Sequence, residues 1–141
     1  MLTVYSVPIS LYCAKLRIVL RHKKLKWNEV SPPGGYGSNQ YKKIVASGNL
    51  PALIDGSLIL ADSEAIAEYI EEKYPNPPML PGKTSARAKA RELGRFHDTR
   101  LEPEIRKLFN HLAPEKRNQE LNEQQGDQIS NKLLQLSKVI N

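Results

Sequence analysis

Four adjacent residues, Ser10-Leu11-Tyr12-Cys13, have the spacing of a Cys-x-x-Cys redox motif whose leading cysteine has become serine. Without that thiol, ordinary dithiol–disulfide exchange is closed, and the Ser10 hydroxyl is left to donate a hydrogen bond or, less readily, to attack. A thiol bound beside it would complete the site. Cys13 is the single cysteine of the 141-residue chain, so no intramolecular disulfide can form and an intracellular, reducing compartment is expected. Near a helix start its thiol can have a lowered pKa, and it can equally serve as a small buried apolar group. Asp62-Ser63 offers a second constellation: a carboxylate oxygen, a hydroxyl and free backbone N–H groups at a helix start, which suits a carboxylate ligand. A plain N-cap uses the same atoms. His97 and Asp98 are neighbours on an apolar helix face, where a lone histidine is expected to pack rather than catalyse. No metal-ligand spacing joins His97 to His22 or His111, and no metal is expected.

The elements that must carry these residues follow from periodicity. Leu2 to Tyr5 reads as a short strand that enters a loop at Pro8. From Tyr12 to Lys24, Leu16, Val19 and Leu20 form an apolar stripe at helical spacing, and Trp27 to Val30 reads as a second strand, parallel to the first through a right-handed crossover. A weak helix is expected over Asn39 to Val45. Then Pro51-Ala52-Leu53-Ile54 and Leu58-Ile59-Leu60 flank Asp55-Gly56 as a hairpin. Behind Asp62-Ser63, the repeat Ile66, Ile70, Tyr74 marks a helix ended by Pro75, Pro77, Pro78 and Pro81. Beyond that linker only helix signals remain. Ala86, Ala90, Leu93, Leu101, Ile105, Leu108 and Leu112 share one face of a long helix that Pro103 should kink, and Ile129, Leu133, Leu136 and Ile140 mark another. Two amphipathic helices make no closed bundle, so their apolar faces need further partners.

The formal charge of +6 does not point to nucleic acid. Basic residues exceed acidic ones by nine to seven before Met79 and by twelve to eight from there on, which makes no dedicated face. The cluster Arg21-His22-Lys23-Lys24 sits where a helix ends, and cations there complement the helix dipole. The N-terminus lacks a signal-peptide pattern and no apolar run is long enough to span a bilayer, so neither membrane nor nucleic acid is an expected partner, and a cytoplasmic location is.

Ser10 standing seven residues ahead of Arg17-Ile18-Val19-Leu20, then GNLPALIDG, then LADSEAIAEYIEEKYP, resembles the glutathione S-transferase family. The match is good from Leu2 to Leu80 and much less specific from Thr84 onwards. It implies an α/β thioredoxin-like N-terminal domain of order β-α-β-α-β-β-α over residues 1–78, a linker over 79–83, and an all-α C-terminal domain over 84–141. That second domain stops early relative to family members, as a fragment does or as a chain whose helical faces a partner subunit covers. By the same resemblance Ser10 hydrogen-bonds the glutathione sulfur and holds it as a thiolate, with Tyr12 and Cys13 as rivals because other classes use tyrosine or cysteine. Leu50-Pro51 resembles the family's cis-proline dipeptide, whose first residue pairs its backbone with the cysteine of glutathione; the sequence by itself favours an ordinary trans proline. Asp62-Ser63 takes the γ-glutamyl carboxylate. Asn49 stands where many members carry lysine for the glycine carboxylate, an amide donor without the charge, and Val45-Ala46 replaces the common Asn-Pro of that loop. Asp98 is matched to acidic residues that reach a partner subunit's glutathione in some members. The implied activity is transfer of a hydrophobic electrophile to the sulfur of glutathione, a detoxification chemistry, in a cytoplasmic homodimer with glutathione as co-substrate and no metal. A glutathione-dependent isomerase or dehalogenase, or a noncatalytic dimerisation scaffold, are the alternatives.

Overall fold

The computed structural model describes residues 1–111 and 113–140, so Leu112 of the apolar helix face and the final Asn141 lie outside the described residues. The chain divides into two compact units that meet in sequence between Leu80 and Pro81.

The first unit has the order β1 (Leu2–Tyr5), α1 (Leu11–His22), β2 (Trp27–Val30), α2 (Asn39–Lys42), β3 (Ala52–Asp55), β4 (Leu58–Leu60) and α3 (Ser63–Lys73). The sheet runs β2-β1-β3-β4: β1 pairs parallel with β2 and antiparallel with β3, and β3 pairs antiparallel with β4. This is the thioredoxin-like arrangement expected from the sequence. The pleat sorts the core into two layers. Val4 lies opposite Leu53, and both belong to a buried cluster with Leu2, Leu16, Leu20, Ile66 and Ile70, beneath α1 and α3. One residue on, Tyr5 lies opposite Ala52, and these face the other cluster, with Tyr41 and Val45 around α2. Side chains alternate across a strand, so a single register builds both layers.

Two element boundaries differ from the periodicity. Helix α1 stops at His22, and its end is set by main-chain bonding: the Leu25 N–H donates to the Leu20 carbonyl and the Lys24 N–H to the Arg21 carbonyl, with Lys24 at φ 55. That is a Schellman ending with lysine at the left-handed position usually held by glycine, closed by apolar packing of Leu25 against the cluster that contains Leu20. Within the basic cluster there, Arg21, His22 and Lys24 are exposed but Lys23 is buried. The Lys23 side chain is 0% exposed, ion-paired with Glu71 and donating to the carbonyls of Tyr74 and Pro77 at 2.7 Å each. Glu71 in turn accepts the N–H groups of Met79 and Leu80, so the proline-rich stretch after α3 is tied down residue by residue. Helix α2 is shorter than expected, ending at Lys42, although Tyr41 and Val45 are both buried. The β3–β4 turn is the two-residue Gly56-Ser57, one residue later than the expected Asp55-Gly56, since Asp55 still pairs with Leu58 in the ladder; Gly56 takes φ 61, as a tight hairpin of this kind demands.

The regular structure among the described residues of the second unit is all helical: α4 (Thr84–Phe96), a π-helical turn (His97–Leu101), α5 (Glu102–Lys107), two short 3-10 turns and α6 (Gln119–Ile140). The kink expected from Pro103 takes the form of the π turn just before it. Proline lacks the N–H for the next helical bond and crowds the carbonyl four residues back, and the widened turn, closed by the Glu102 N–H on the His97 carbonyl, absorbs both. Ala86, Ala90, Leu93, Ile105 and Leu108 are half-buried and Leu101 buried, while Leu133 and Ile140 of α6 are exposed.

Candidate functional site

Strand direction alone gathers the sequence candidates. Helix α1 starts beyond the C-terminal end of β1. Strand β3 runs antiparallel to β1, so its N-terminal end, preceded by Leu50-Pro51, lies at that same edge, where Tyr5 pairs with Ala52. Strand β4 reverses again, so its C-terminal end and the start of α3 arrive there too. Ser10, Leu50-Pro51 and Asp62-Ser63, separated by more than fifty residues of chain at the extremes, therefore share one edge of the sheet, and Lys15 of α1 bridges to Glu64 in the first turn of α3 at 3.0 Å. Two helix N-termini converge there, each a source of unpaired N–H groups and partial positive charge.

Ser10 is the N-cap of α1. Its Oγ accepts the Cys13 N–H at 3.2 Å, which leaves the hydroxyl hydrogen available to a further acceptor. Cys13 points the other way: it is buried at 1% exposure. Tyr12 is half-buried beside it. Asp62 is the N-cap of α3, with Oδ1 accepting the N–H groups of Glu64 at 2.9 Å and Ala65 at 3.0 Å, while Ser63 opens the helix and is largely buried. The Leu50-Pro51 peptide bond is cis.

The 45–50 loop is supported by residues that lie outside the sequence motifs. Tyr41, fully buried, donates its hydroxyl to the Asn49 carbonyl at 2.8 Å and meets Tyr5 edge-on at a centroid distance of 5.2 Å. Burial first, then the nearby Cys13 and Tyr5, push its phenol far above the ordinary tyrosine range, so it is a donor at any physiological pH. The Asn49 side chain carries no charge, but Lys42 lies close. Gly48 sits at φ 69, where a larger residue is strained, and a Cβ there would stand 3.1 Å from the Lys42 Cε and push the lysine stem aside. The stem of Lys42, at the end of α2, packs beside Gly48, the residue before Asn49, because the loop folds back over the helix. On the far side of α1, Arg17 donates to Ser6 and Glu29, both at 2.8 Å, and to the Pro8 carbonyl at 3.3 Å.

His97 and Asp98 pair with each other, Nδ1 to Oδ1 at 2.8 Å, within the π turn of the second unit. Among the described residues no group of three or more His, Cys, Asp or Glu could hold a metal ion, and no helix is long and apolar enough to cross a membrane.

The family model for the glutathione S-transferase N-terminal domain matches residues 4–78, just over half of the chain. A stringent starvation protein A homolog of Coxiella burnetii is 34% identical over 92 residues, covering 65% of this chain and 44% of that protein. Glutathione S-transferase Z1 of Arabidopsis thaliana is 38% identical over 90 residues, covering 62% and 41%. The matched segment thus spans less than half the length of either relative. Among solved structures, a zeta-class bacterial maleyl pyruvate isomerase superposes with a TM-score of 0.77 at 26% identity, covering 92% of this chain and 64% of that one. Poplar glutathione transferase F1 superposes at 0.79 over 94% and 65%, with 21% identity, a likeness of fold. A Ser-x-x-Cys capped helix, a cis-proline strand entry and an Asp-Ser capped helix at one sheet edge, with a family model spanning all three, make this chain a member of the glutathione S-transferase family.

Proposed function

We propose that the chain binds reduced glutathione at the shared sheet edge and activates its thiol for attack on a hydrophobic electrophile. The observation that carries the proposal is the convergence of two capped helix N-termini, α1 with Ser10 and α3 with Asp62-Ser63, on one edge. Glutathione supplies the sulfur nucleophile. The Ser10 hydroxyl, already an acceptor for the Cys13 N–H, donates its hydrogen to that sulfur, and the positive end of α1 adds to the preference for thiolate over thiol. The thiol proton leaves to solvent, the sulfur–carbon bond forms, and the leaving group departs with the electron pair of its bond to carbon. Cys13 is too deeply buried to compete for the ligand sulfur, which favours Ser10 over its rival.

The remaining contacts follow charge. The Ser63 amide and hydroxyl suit the γ-glutamyl carboxylate, and the exposed carboxylate of Asp62 suits the adjacent ammonium. The backbone of Leu50 pairs with the cysteine of the peptide, and Asn49 with Lys42 receives the glycine carboxylate. A cytoplasmic homodimer is the assembly this function implies. Its isomerase and dehalogenase alternatives use the same thiolate, and the resemblance to a zeta-class isomerase favours keeping the former in the assay set.

Titration calorimetry with reduced glutathione, run beside conjugation of an aromatic chloride and isomerisation of a cis-unsaturated diacid, tests the proposal. Saturable binding with turnover of either substrate is the expected result. Binding without turnover would make the chain a glutathione-binding module only, and no binding would overturn the proposal in favour of a scaffold.

A further inference from the structure

Between β1 and α1 the chain crosses from Ser6 to Ser10 without regular structure. Main-chain bonds hold its two ends, Ser6 N–H to the Val30 carbonyl at 3.0 Å and Ser10 N–H to the Val7 carbonyl at 3.3 Å. Ile9, immediately before Ser10, is 47% exposed and anchors nothing. The middle of the loop is held by one side chain from two turns further along α1. Arg17 Nη1 donates to Ser6 Oγ and to Glu29 Oε1, each at 2.8 Å, and Nη2 donates to the Pro8 carbonyl at 3.3 Å. A planar guanidinium can span three acceptors at once, and an ammonium cannot hold the same fork. Glu29 is fixed in turn from β2. Burial opposes its charge, but hydrogen bonds with Ser6, Arg17 and Trp27 outweigh it and keep the carboxylate ionised below its ordinary range.

We propose that Arg17 is a positioning residue for the thiol site: by clamping Ser6 and Pro8 to Glu29 it fixes the loop that sets the Ser10 hydroxyl against the bound sulfur. The inference rests on the glutathione proposal above and adds to it a support that touches no ligand. It also competes with a simpler idea, that the Arg17 charge acts on the thiolate through space. The two differ in what lysine does. A through-space charge survives Arg17→Lys, and a three-point clamp does not.

The test is the ultraviolet absorption of bound glutathione thiolate, titrated against pH in the full chain, a readout that needs no turnover. Arg17→Met and Arg17→Lys should both raise the apparent thiol pKa by about one unit, a tenfold loss of thiolate below it. Glu29→Gln should shift it in the same direction by less, and it carries the test if Arg17→Met fails to fold. In a Ser10→Ala background, Arg17→Met should add no further shift, because both changes remove the same hydrogen bond. Full rescue by lysine, additive shifts in the double variant, or wild-type titration in both Arg17→Met and Glu29→Gln would overturn the role of Arg17. Failure of the wild-type chain to bind glutathione would instead overturn the assignment beneath it.

Discussion

Ser10→Ala and Ser10→Gly should differ in stability and agree in thiol chemistry, because Ser10 performs two tasks that these substitutions separate. As an N-cap its oxygen accepts the Cys13 N–H at 3.2 Å, at the long end for such a bond. Removing it with alanine should therefore cost about 0.5–1 kcal/mol, while glycine, a tolerable cap, should cost only a few tenths. As a donor to a thiolate, the hydroxyl makes a charge-assisted bond worth about 1.5–3 kcal/mol, which at about 1.4 kcal/mol per pH unit is a rise of roughly one to two units in the thiol pKa of bound glutathione. Both variants lose that donor equally. The pH profile of kcat/KM with an aromatic chloride should move up by the same amount in each, with a fall of about 10- to 100-fold on the acid limb, and urea unfolding should rank glycine above alanine. If the helix end rather than the hydroxyl sets the thiol, glycine will keep the wild-type profile and alanine will not. That pattern, or unchanged profiles in both, would refute the role given to Ser10.

Three further outcomes follow from particular contacts. Lys23→Met breaks a buried ion pair and strands the carbonyls of Tyr74 and Pro77; because Glu71 keeps the Met79 and Leu80 amides, the loss should fall at the low end for such pairs, about 3 kcal/mol, and a urea-unfolding loss under about 1 kcal/mol would contradict the burial of that ammonium. Glu71 is held below the ordinary carboxylate range, burial opposing and then Lys23 and the two amides prevailing, so its contribution to stability is present above that range and is lost as pH falls through the lowered folded value; Glu71→Gln should flatten the acid limb of stability against pH, and identical slopes in both proteins would count against it. Lys42→Met should weaken glutathione binding about fivefold, close to 1 kcal/mol, yet leave the affinity for glutathione amidated at its glycine end unchanged, and equal losses on both ligands by calorimetry would remove Lys42 from the carboxylate site.

Much of the fold was legible because it is written in short-range signals. The pleat of Leu2 to Tyr5, the Asp55-Gly56 hairpin signal and the Asp62-Ser63 cap each act over a few residues, and the strand directions that gather the site follow from them by topology. The features that escaped are those that depend on distant partners. Nothing near Lys23 announces that an ammonium will be buried, since Glu71 and Pro77 are about fifty residues away. The end of α1 lay hidden because lysine, not glycine, takes the left-handed position. Lys42 and Gly48 are six residues apart and look unrelated until the loop closes on the helix and sets the glycine against the lysine stem. Arg17 was visible as part of a family string, but its partners come from two separate stretches of chain, Ser6 and Pro8 from the β1–α1 loop and Glu29 from β2.

The proposed glutathione contacts all fall between Ser10 and Ser63, within the first compact unit. Affinity for glutathione and choice of electrophile should therefore be separable properties of this chain. On the glutathione proposal, thiolate formation needs only a donor, a helix end and a carboxylate receptor, which that unit's sheet edge would supply. Selection of a second substrate needs apolar walls, to which the exposed Ile9 beside Ser10 can contribute only a part. The same separation explains how one N-terminal design can serve relatives with names as different as stringent starvation protein A and zeta-class glutathione S-transferase. If the Ser10 hydroxyl holds the glutathione sulfur as proposed, then it and the Arg17 clamp behind it are the groups whose substitution should separate thiolate formation from the mere presence of the fold.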